Sequence, residues 1–165
     1  MPQLDFNCDL GEGCGNDAAI VPLVSSASIA CGGHAGDAAS MHATVALCLA
    51  HGVAIGAHPS FEDREHFGRR ELGIPVAAIH ASVKRQVEVL ASICAAHGAR
   101  VNHVKPHGAL YNLAARDRQV ADAIAVFSEI LRVGELIGVA LELVGPDMLN
   151  LIALHPRRGH IFHIV

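Results

Sequence analysis

The segment HVKPHGALYN, residues 103–112, begins like a buried strand and then places His103, Lys105 and His107 within five positions. Such side chains are costly to bury unless they are paired, hydrogen-bonded or used in chemistry. Pro106 lacks a backbone N–H and is suited to the end of a strand. The segment is therefore interpreted as a strand end, and its meaning depends on what the other strand ends carry.

The same order of strand, loop and helix recurs along the chain. Apolar runs predict five strands, over residues 4–8, 28–31, 53–57, 100–104 and 140–144. Helical periodicity predicts helices over 38–50, from Pro75 to about Gly98 and after Asp117, with Asp37 and Asp117 as N-caps and Gly52 past the first helix. Strands that alternate with helices form a parallel sheet, either open or closed into a barrel.

Composition narrows the class of protein. The 165 residues are 52% hydrophobic, which predicts one compact domain over 1–165. A net charge of −4 without a basic stripe argues against nucleic acid as a partner.

No apolar run reaches the roughly 18 residues that span a bilayer, and the N-terminus has no signal-peptide pattern, so a cytoplasmic location without membrane contact is expected. Five cysteines without a CxxC pair are interpreted as reduced thiols.

Polar side chains follow each of the first four predicted strands. In parallel α/β folds the working residues lie beyond the carboxyl ends of the strands. We therefore expect one shared site. Its members in chain order are Asn7, Asp9 and Glu12, then His34, then His58, and finally His103, Lys105 and His107.

The period-two alternation of strand side chains supports this convergence. It predicts that Leu4 and Phe6 face the helices, whereas Asn7 and Asp9 face a shared interior. Small residues on the same interior face, Ala30, Ala54 and Gly56, are predicted to leave room for a ligand.

Two kinds of chemistry fit the constellation. Imidazoles and carboxylates from several strand ends suit zinc or another borderline divalent ion. Alternatively, Asp9 or a histidine acts as general base while Lys105 stabilises an oxyanion. Both interpretations indicate hydrolysis at a polarised carbonyl.

Each residue also has a purely structural interpretation. Asp9 and Glu12 are suited to cap the turn and helix that follow them. His58 can bond a loop carbonyl, His103 can be a satisfied core residue, and Lys105 can extend to solvent. The convergence of all of them on one face favours a site.

Phosphate binding by this chain alone is not indicated. The segment GEGCG (11–15) lacks both the GxxxxGK[ST] and the GxGxxG spacing. Its glycines instead predict a tight turn between strand and helix.

Four segments carry a family resemblance: FNCDLGEG, SIACGGHAGD, GVAIGAHPSFEDREHFGR and HVKPHGALYN. They resemble the signature blocks of the LamB/YcsF family, specifically those members that form the A component of 5-oxoprolinase, in the family's order and spacing. The resemblance implies a barrel of parallel strands related to the polysaccharide-deacetylase type. It also implies ATP-dependent opening of 5-oxo-L-proline to L-glutamate together with partner subunits B and C.

The resemblance also implies site residues. Asp9, Glu12, Lys105 and His107 would be catalytic. A substrate pocket would include Asn7, His34, Asp37, His58, Arg69 and Tyr111. Independently of the resemblance, the metal interpretation of the strand ends assigns a divalent ion to Asp9, His34, His58 and His107. In the implied reaction ATP phosphorylates the lactam carbonyl oxygen, a cation stabilises the developing charge, and a carboxylate orients water or a metal.

The resemblance covers residues 4–148, and the tail over 149–165 matches no family block. A barrel of eight βα units typically takes about 250 residues, so we expect an incomplete barrel with exposed strand edges that favour self-association. Two alternatives stay open at this stage. One is a metal-dependent deacetylase of carbohydrate amides that needs no ATP, and the other is an inactive truncated remnant or binding subunit.

Overall fold

The computed structural model describes residues 4–137, which form a parallel sheet packed against helices. This arrangement confirms the predicted α/β class. The strands are β1 (Asn7–Leu10), β2 (Ser26–Ala30), β3 (Ala54–His58) and β4 (His103–Val104). The helices are α1 (Asp17–Ile20), α2 (Ala38–His51), α3 (Val76–Ala96), α4 (Gly108–Ala114) and α5 (Arg118–Ile137), with 3-10 turns at Val21–Leu23 and Arg64–His66.

The strands are all parallel and lie in the order β1-β2-β3-β4, so each is hydrogen-bonded to its neighbour in the chain. The register pairs Ala30 with His58 and Gly56 with His103. Because parallel strands end at the same edge of a sheet, this register brings the loops after all four strands together. Sequential order of this kind is the order of strands in a βα barrel.

The hydrophobic core lies between the sheet and helices α2 and α3. Ile29 and Ile55 point from the sheet into it, as alternation predicts, and meet Val45 of α2 and Val87 and Leu90 of α3; all five are buried. Each fully buried side chain of this size contributes about 1.5–3 kcal/mol to folding. The opposite side of the sheet is thereby left to the polar residues.

The helix boundaries follow the capping signals in the sequence. Asp37 accepts a hydrogen bond from the Ser40 backbone N–H at 2.8 Å, and the Ser40 hydroxyl accepts one from the Asp37 N–H in return. Gly52 ends α2 in the left-handed conformation at φ 67°. Pro75 precedes the first residue of α3, and Asp117 accepts backbone N–H bonds at the start of α5. These predictions are confirmed.

The first strand begins later than the sequence pattern predicts. Regular pairing with β2 starts at Asn7, and Leu4 and Phe6 are 68% and 61% exposed. The prediction that these two side chains face the helices is therefore wrong. The buried apolar residue of β1 is Leu10, at the other end of the strand. Alternation fails here because Phe6 bonds to Ser25 ahead of the ladder, where no described helix covers it.

Several elements were not predicted from the sequence. Helices α1 and α4, with four and seven residues, are too short to show helical periodicity. Strand β4 has two residues, fewer than the five predicted. The strand predicted over 140–144 lies outside the described residues. No helix within residues 4–137 combines the length and the apolar character needed to cross a membrane.

Candidate functional site

The carboxyl edge of the sheet collects ionisable side chains from four successive strands. Asp9 lies within β1, His58 is the last residue of β3, and Lys105 and His107 follow β4. Glu12 and His34 come from the loops after β1 and β2. His34, His58 and His107 are buried, whereas Asp9, Glu12 and Lys105 are partly exposed. The predicted convergence of these residues is thus a feature of the fold.

The turn after β1 determines where Glu12 points. Gly11 adopts φ 72°, a conformation that a residue with a Cβ rarely takes, and its N–H donates to Asp17 Oδ2 at 2.8 Å. The chain therefore reverses immediately after Leu10. Glu12 is brought back over the sheet edge, where its Oε1 lies 2.9 Å from His34 Nε2.

Three imidazoles and one carboxylate form the centre of the site. His107 Nδ1 lies 3.0 Å from His58 Nε2, and Glu12 Oε1 lies 3.9 Å from that His58 nitrogen and 3.7 Å from that His107 nitrogen. The rings of His34 and His107 are stacked, with centroids 3.8 Å apart. We call these four residues, Glu12, His34, His58 and His107, the histidine cluster.

Backbone carbonyls fix the tautomers of two of these histidines. His58 Nδ1–H donates to the Lys105 carbonyl at 2.6 Å, and His107 Nε2–H donates to the Phe67 carbonyl at 2.9 Å. A carbonyl oxygen can only accept, so the protons are assigned by the chemistry of the partner. In the neutral forms, the other nitrogen of each ring presents a lone pair to the cluster.

His107 is held in its neutral form at neutral pH. Burial, together with the nearby His34 and His58, lowers its pKa to about 4. Its Nδ1 is therefore an acceptor, and it faces His58 Nε2 and the Glu12 carboxylate. Acceptor atoms in such close contact repel one another unless a proton or a cation lies between them. The centre of the site thus has the electrostatics of a cation-binding position.

Lys105 and Asp9 form an ion pair at the solvent side of the cluster. Lys105 Nζ donates to Asp9 Oδ1 at 2.8 Å, and Asp9 Oδ2 lies 3.3 Å from His58 Nε2. Burial alone would raise the pKa of Asp9, but its contacts with His58 and with the Lys105 ammonium group outweigh burial and hold that pKa far below its usual range. Burial likewise opposes a lowered pKa at Glu12, and the contact with His34 outweighs it. Both carboxyl groups are ionised at neutral pH.

The interior below this ion pair is filled by His103. Its Nε2 lies 3.4 Å from Asn7 Nδ2 and 3.3 Å from Ser28 Oγ, and Ser28 donates to Asn7 Oδ1 at 3.0 Å. A Cβ on Gly56 would lie 2.0 Å from His103 Nε2. The prediction that Gly56 leaves room for a ligand is therefore wrong, because the space above this glycine holds the imidazole of His103.

The cluster fits a divalent cation. Its four residues each offer one ligand atom, and these atoms lie within 4.8 Å of one another. Bonds of about 2.1 Å in a tetrahedral site place ligand atoms about 3.4 Å apart. Four contacts between cluster atoms, at 2.9–3.9 Å, bracket that separation. His34 Nδ1, the nitrogen opposite the one that contacts Glu12, is buried without a hydrogen-bond partner among the described residues.

The histidine cluster differs by one residue from the metal-ligand set predicted from the sequence. Glu12, rather than Asp9, accompanies the three histidines. The reason is geometric: Asp9 is held by Lys105 at the strand end, whereas the turn at Gly11 carries Glu12 over the histidines. Asp9 contacts His58, whereas Glu12 lies within 4 Å of all three histidines, and the spacing in the sequence does not reveal this difference.

Three predicted pocket residues lie around the cluster rather than in it. The side chain of Asp37 is exposed and bonded to Ser40 as a helix cap. Arg69 is exposed, with its guanidinium carbon 5.5 Å from the centre of the Phe67 ring. Tyr111 is 41% exposed on α4. The predicted roles of Asp37, Arg69 and Tyr111 in substrate binding stay predictions.

Sequence reasoning missed the residues that cover the cluster. Phe67 places its ring edge-on to His34 and His107, with centroids 5.1 Å and 5.2 Å away. A Cβ on Gly68 would meet His34 Cβ at 2.8 Å and His107 Cδ2 at 3.1 Å. The sequence FGR carries no periodic signal, because these residues lie in the loop after β3. The signal in the sequence that pointed to this loop was the family-like segment GVAIGAHPSFEDREHFGR, which contains Phe67 and Gly68.

Comparison with known proteins places the chain in a family. The model of the LamB/YcsF family matches residues 4–148. The chain belongs to the LamB/YcsF family. Among solved structures, the lactam utilization protein from Thermus thermophilus is similar, with 40% sequence identity and a TM-score of 0.74.

That similarity covers 93% of this chain and 64% of the Thermus protein. The chain thus spans just under two thirds of the length of that protein.

Proposed function

We propose that this LamB/YcsF chain acts as the A component of a 5-oxoprolinase and opens 5-oxo-L-proline to L-glutamate by hydrolysis. The observation that carries the proposal is the meeting of Asp9, Lys105 and the histidine cluster at one sheet edge. The 40% identity to a lactam utilization protein supports a lactam as the substrate class.

A lactam is an amide and resists water, so the reaction needs an activated carbonyl. ATP would supply a phosphoryl group that converts the carbonyl oxygen into a leaving group. In the proposed complex this nucleotide is bound together with partner subunits B and C, since the described residues lack a phosphate-binding glycine loop of either known spacing.

Lys105 is suited to stabilise charge on the carbonyl oxygen. Its side chain is 31% exposed, and its ammonium group is held at 2.8 Å by Asp9. A cation fixed in this way needs little reorganisation when a negative charge develops beside it. Asp9 in turn keeps Lys105 from turning toward solvent.

The histidine cluster is suited to move protons. Neutral His107 presents Nδ1 as a base of the right charge state, and His58 Nε2 lies within 3.0 Å of it. When water attacks the phosphorylated carbonyl carbon, its proton passes to an acceptor of the cluster. The C–N bond of the lactam then breaks, the lactam nitrogen takes up a proton, and a second water hydrolyses the resulting acyl phosphate to glutamate and phosphate. Glu12 orients His34 and adds negative charge that stabilises a protonated imidazole.

The cluster also defines where a divalent metal would bind. Glu12 and one nitrogen from each of His34, His58 and His107 would hold it. When bound, such a metal polarises a carbonyl and lowers the pKa of water. The carbonyl of Lys105, by fixing His58 Nδ1–H, would keep Nε2 free for the metal.

This ligand set favours a second candidate function. A divalent metal held by Glu12 and three histidines would suffice for a hydrolase that cleaves amides, including acetylated sugars, without ATP. The two candidates differ in one requirement, because only the first depends on nucleotide and partner subunits. An inactive remnant would show neither activity.

The test is release of glutamate from 5-oxo-L-proline by this chain mixed with subunits B and C, with and without ATP. We expect ATP-dependent turnover that His107→Ala abolishes and that His51→Ala, an exposed histidine at the end of α2, leaves unchanged. Turnover of an acetylated amide with metal but without ATP would support the second candidate. A cooperatively folded chain that is silent in both assays would contradict both.

The partner predictions form part of this proposal. Association with subunits B and C is measured by co-purification of the three chains. Self-association through the edge of β1 is expected because Leu4 and Phe6 are exposed there. Sedimentation of wild type beside Phe6→Ser measures it.

A further inference from the structure

Phe67 has an unusual backbone conformation beside the histidine cluster. With φ 53° and ψ 40°, it is in the left-handed region, and among residues 4–137 no other non-glycine residue has a positive φ. This conformation costs an L-residue roughly 1–2 kcal/mol. A bulky residue that keeps it is held there by its surroundings, and such strain is concentrated at functional sites.

Hydrogen bonds of the neighbouring Gly68 hold the backbone turn at Phe67 and Gly68, here called the Phe67 corner, in place. Gly68 N–H donates to the Asp63 carbonyl at 2.8 Å, and the Gly68 carbonyl accepts from Ala109 N–H of α4 at 3.0 Å. The approach of α4 is equally tight, because a Cβ on Gly108 would lie 2.6 Å from the Gly68 oxygen. The corner is therefore fixed to its own loop and to the helix that follows β4.

The conformation of Phe67 has two consequences for His107. The Phe67 carbonyl points at His107 Nε2 and accepts its proton at 2.9 Å. The Phe67 ring meets the edges of both stacked imidazoles, His34 and His107. The carbonyl and the ring of this one left-handed residue are thus both directed at the histidine cluster.

We infer that Phe67 is a positioning residue for the histidine cluster. Because its backbone is left-handed, its carbonyl accepts the proton of His107 Nε2, which keeps His107 in the Nε2–H tautomer with Nδ1 directed into the cluster. Without this acceptor, the proton is free to occupy Nδ1, where it would block the nitrogen that faces His58 and Glu12. The inference deepens the proposed function, and it rests on that function only for the consequence in turnover. The tautomer itself is a property of the chain alone.

The test uses substitutions that distinguish the effect of the Phe67 carbonyl from the effect of its ring. Phe67→Asn removes the ring but tolerates the left-handed region, whereas Phe67→Val removes the ring and disfavours that region. Long-range proton–nitrogen NMR without added metal measures the His107 tautomer, and His107→Gln identifies its signals. We expect the Nε2–H form in wild type and in Phe67→Asn, and a mixture of tautomers in Phe67→Val.

Binding of Co²⁺, followed by its visible absorption, gives a second readout. Loss of the group that orients a metal-binding histidine typically weakens affinity by about 10–100-fold. We expect that loss in Phe67→Val and a smaller one in Phe67→Asn. A wild type with His107 in the Nδ1–H form, or equal tautomer loss in both variants, would overturn the inference.

A pair of glycine variants covers the case in which Phe67→Val does not fold. Gly68→Ala and Gly98→Ala both add a Cβ at positive φ, 64° and 69°, but only the first meets the cluster. We expect Gly68→Ala to disturb the His107 tautomer and Gly98→Ala to leave it as in wild type. Identical NMR signals of His107 in the two variants would contradict the inference. Failure of all turnover assays would refute the proposed function and leave these tautomer results unaffected.

Discussion

His58 Nε2 and His107 Nδ1 lie 3.0 Å apart, and the opposite nitrogen of each ring donates its proton to a backbone carbonyl. Two imidazoles restrained in this way present their acceptor nitrogens to each other and to the Glu12 carboxylate. The arrangement is stable only with a proton or a cation at its centre. This contact and the residues around it therefore determine how the site responds to substitution, acid and metal.

Lys105→Met is expected to affect turnover far more than stability. Lys105 and Asp9 are each about one third exposed, so their ion pair contributes at most about 1 kcal/mol to folding. Loss of a fixed cation beside a developing oxyanion lowers kcat by roughly 10²–10³-fold. Steady-state kinetics beside urea unfolding measure both quantities. Lys84→Met, which removes the exposed pair with Glu88, is the matched control, and equal losses of kcat in the two variants would contradict the role of Lys105.

Stability is expected to fall as the pH falls from about 6.5 to about 4. Unfolded His107 takes up a proton near its ordinary pKa of 6.5, whereas in the folded chain burial and the neighbouring histidines lower that pKa to about 4. Between these pH values the unfolded chain binds more protons than the folded chain. The free energy of unfolding therefore falls by at most about 3 kcal/mol across this range. The lowered pKa values of Asp9 and Glu12 act in the same direction at lower pH.

Urea unfolding at a series of pH values measures this dependence. In His107→Asn the slope of the free energy of unfolding against pH should become shallower in the same window. An unchanged slope would show that His107 is not the group responsible. The comparison uses slopes, so a general loss of stability in the variant does not affect it.

Gly56→Ala is expected to destabilise the chain by about 1–3 kcal/mol, because the added Cβ would lie 2.0 Å from His103 Nε2. His103 must then move and lose its contacts with Asn7 and Ser28. Gly73→Ala is the control, since its Cβ meets nothing within 4 Å. The same substitution in a His103→Ala background should cost much less. If Gly56→Ala costs as much there, the clash with His103 is not its cause.

Glu12→Gln is expected to weaken binding of Zn²⁺ or Co²⁺ by removing the charged ligand of the cluster. A metal that binds only the folded chain raises its stability by about 2.7 kcal/mol at a concentration of 100 times Kd. The thermal midpoint of the wild type should therefore rise with added metal, and that of Glu12→Gln should rise much less. Glu88→Gln, an exposed acid of α3, should respond as the wild type does. Equal rises in all three chains would place the metal elsewhere.

The sequence by itself determined the order of strands β1–β4 and of helices α2, α3 and α5, as well as the strand ends from which the site residues come. Apolar alternation and the caps at Asp37, Gly52, Pro75 and Asp117 define strands and helices through local interactions, and the parallel arrangement then follows from their order. The rule that polar residues gather beyond the carboxyl ends of strands was enough to bring Asp9, His58 and His107 together.

Tertiary structure alone decided which atoms meet. The turn at Gly11 brings Glu12 within 4 Å of all three histidines, whereas Asp9 contacts His58. His103 fills the space above Gly56. The exposed Phe6 and the left-handed Phe67 depend on what packs over them, since residues far apart in the chain supply those contacts. Local patterns specify which face a side chain takes along a strand. Distances of a few ångströms between side chains from different loops are set only when the whole edge of the sheet is assembled.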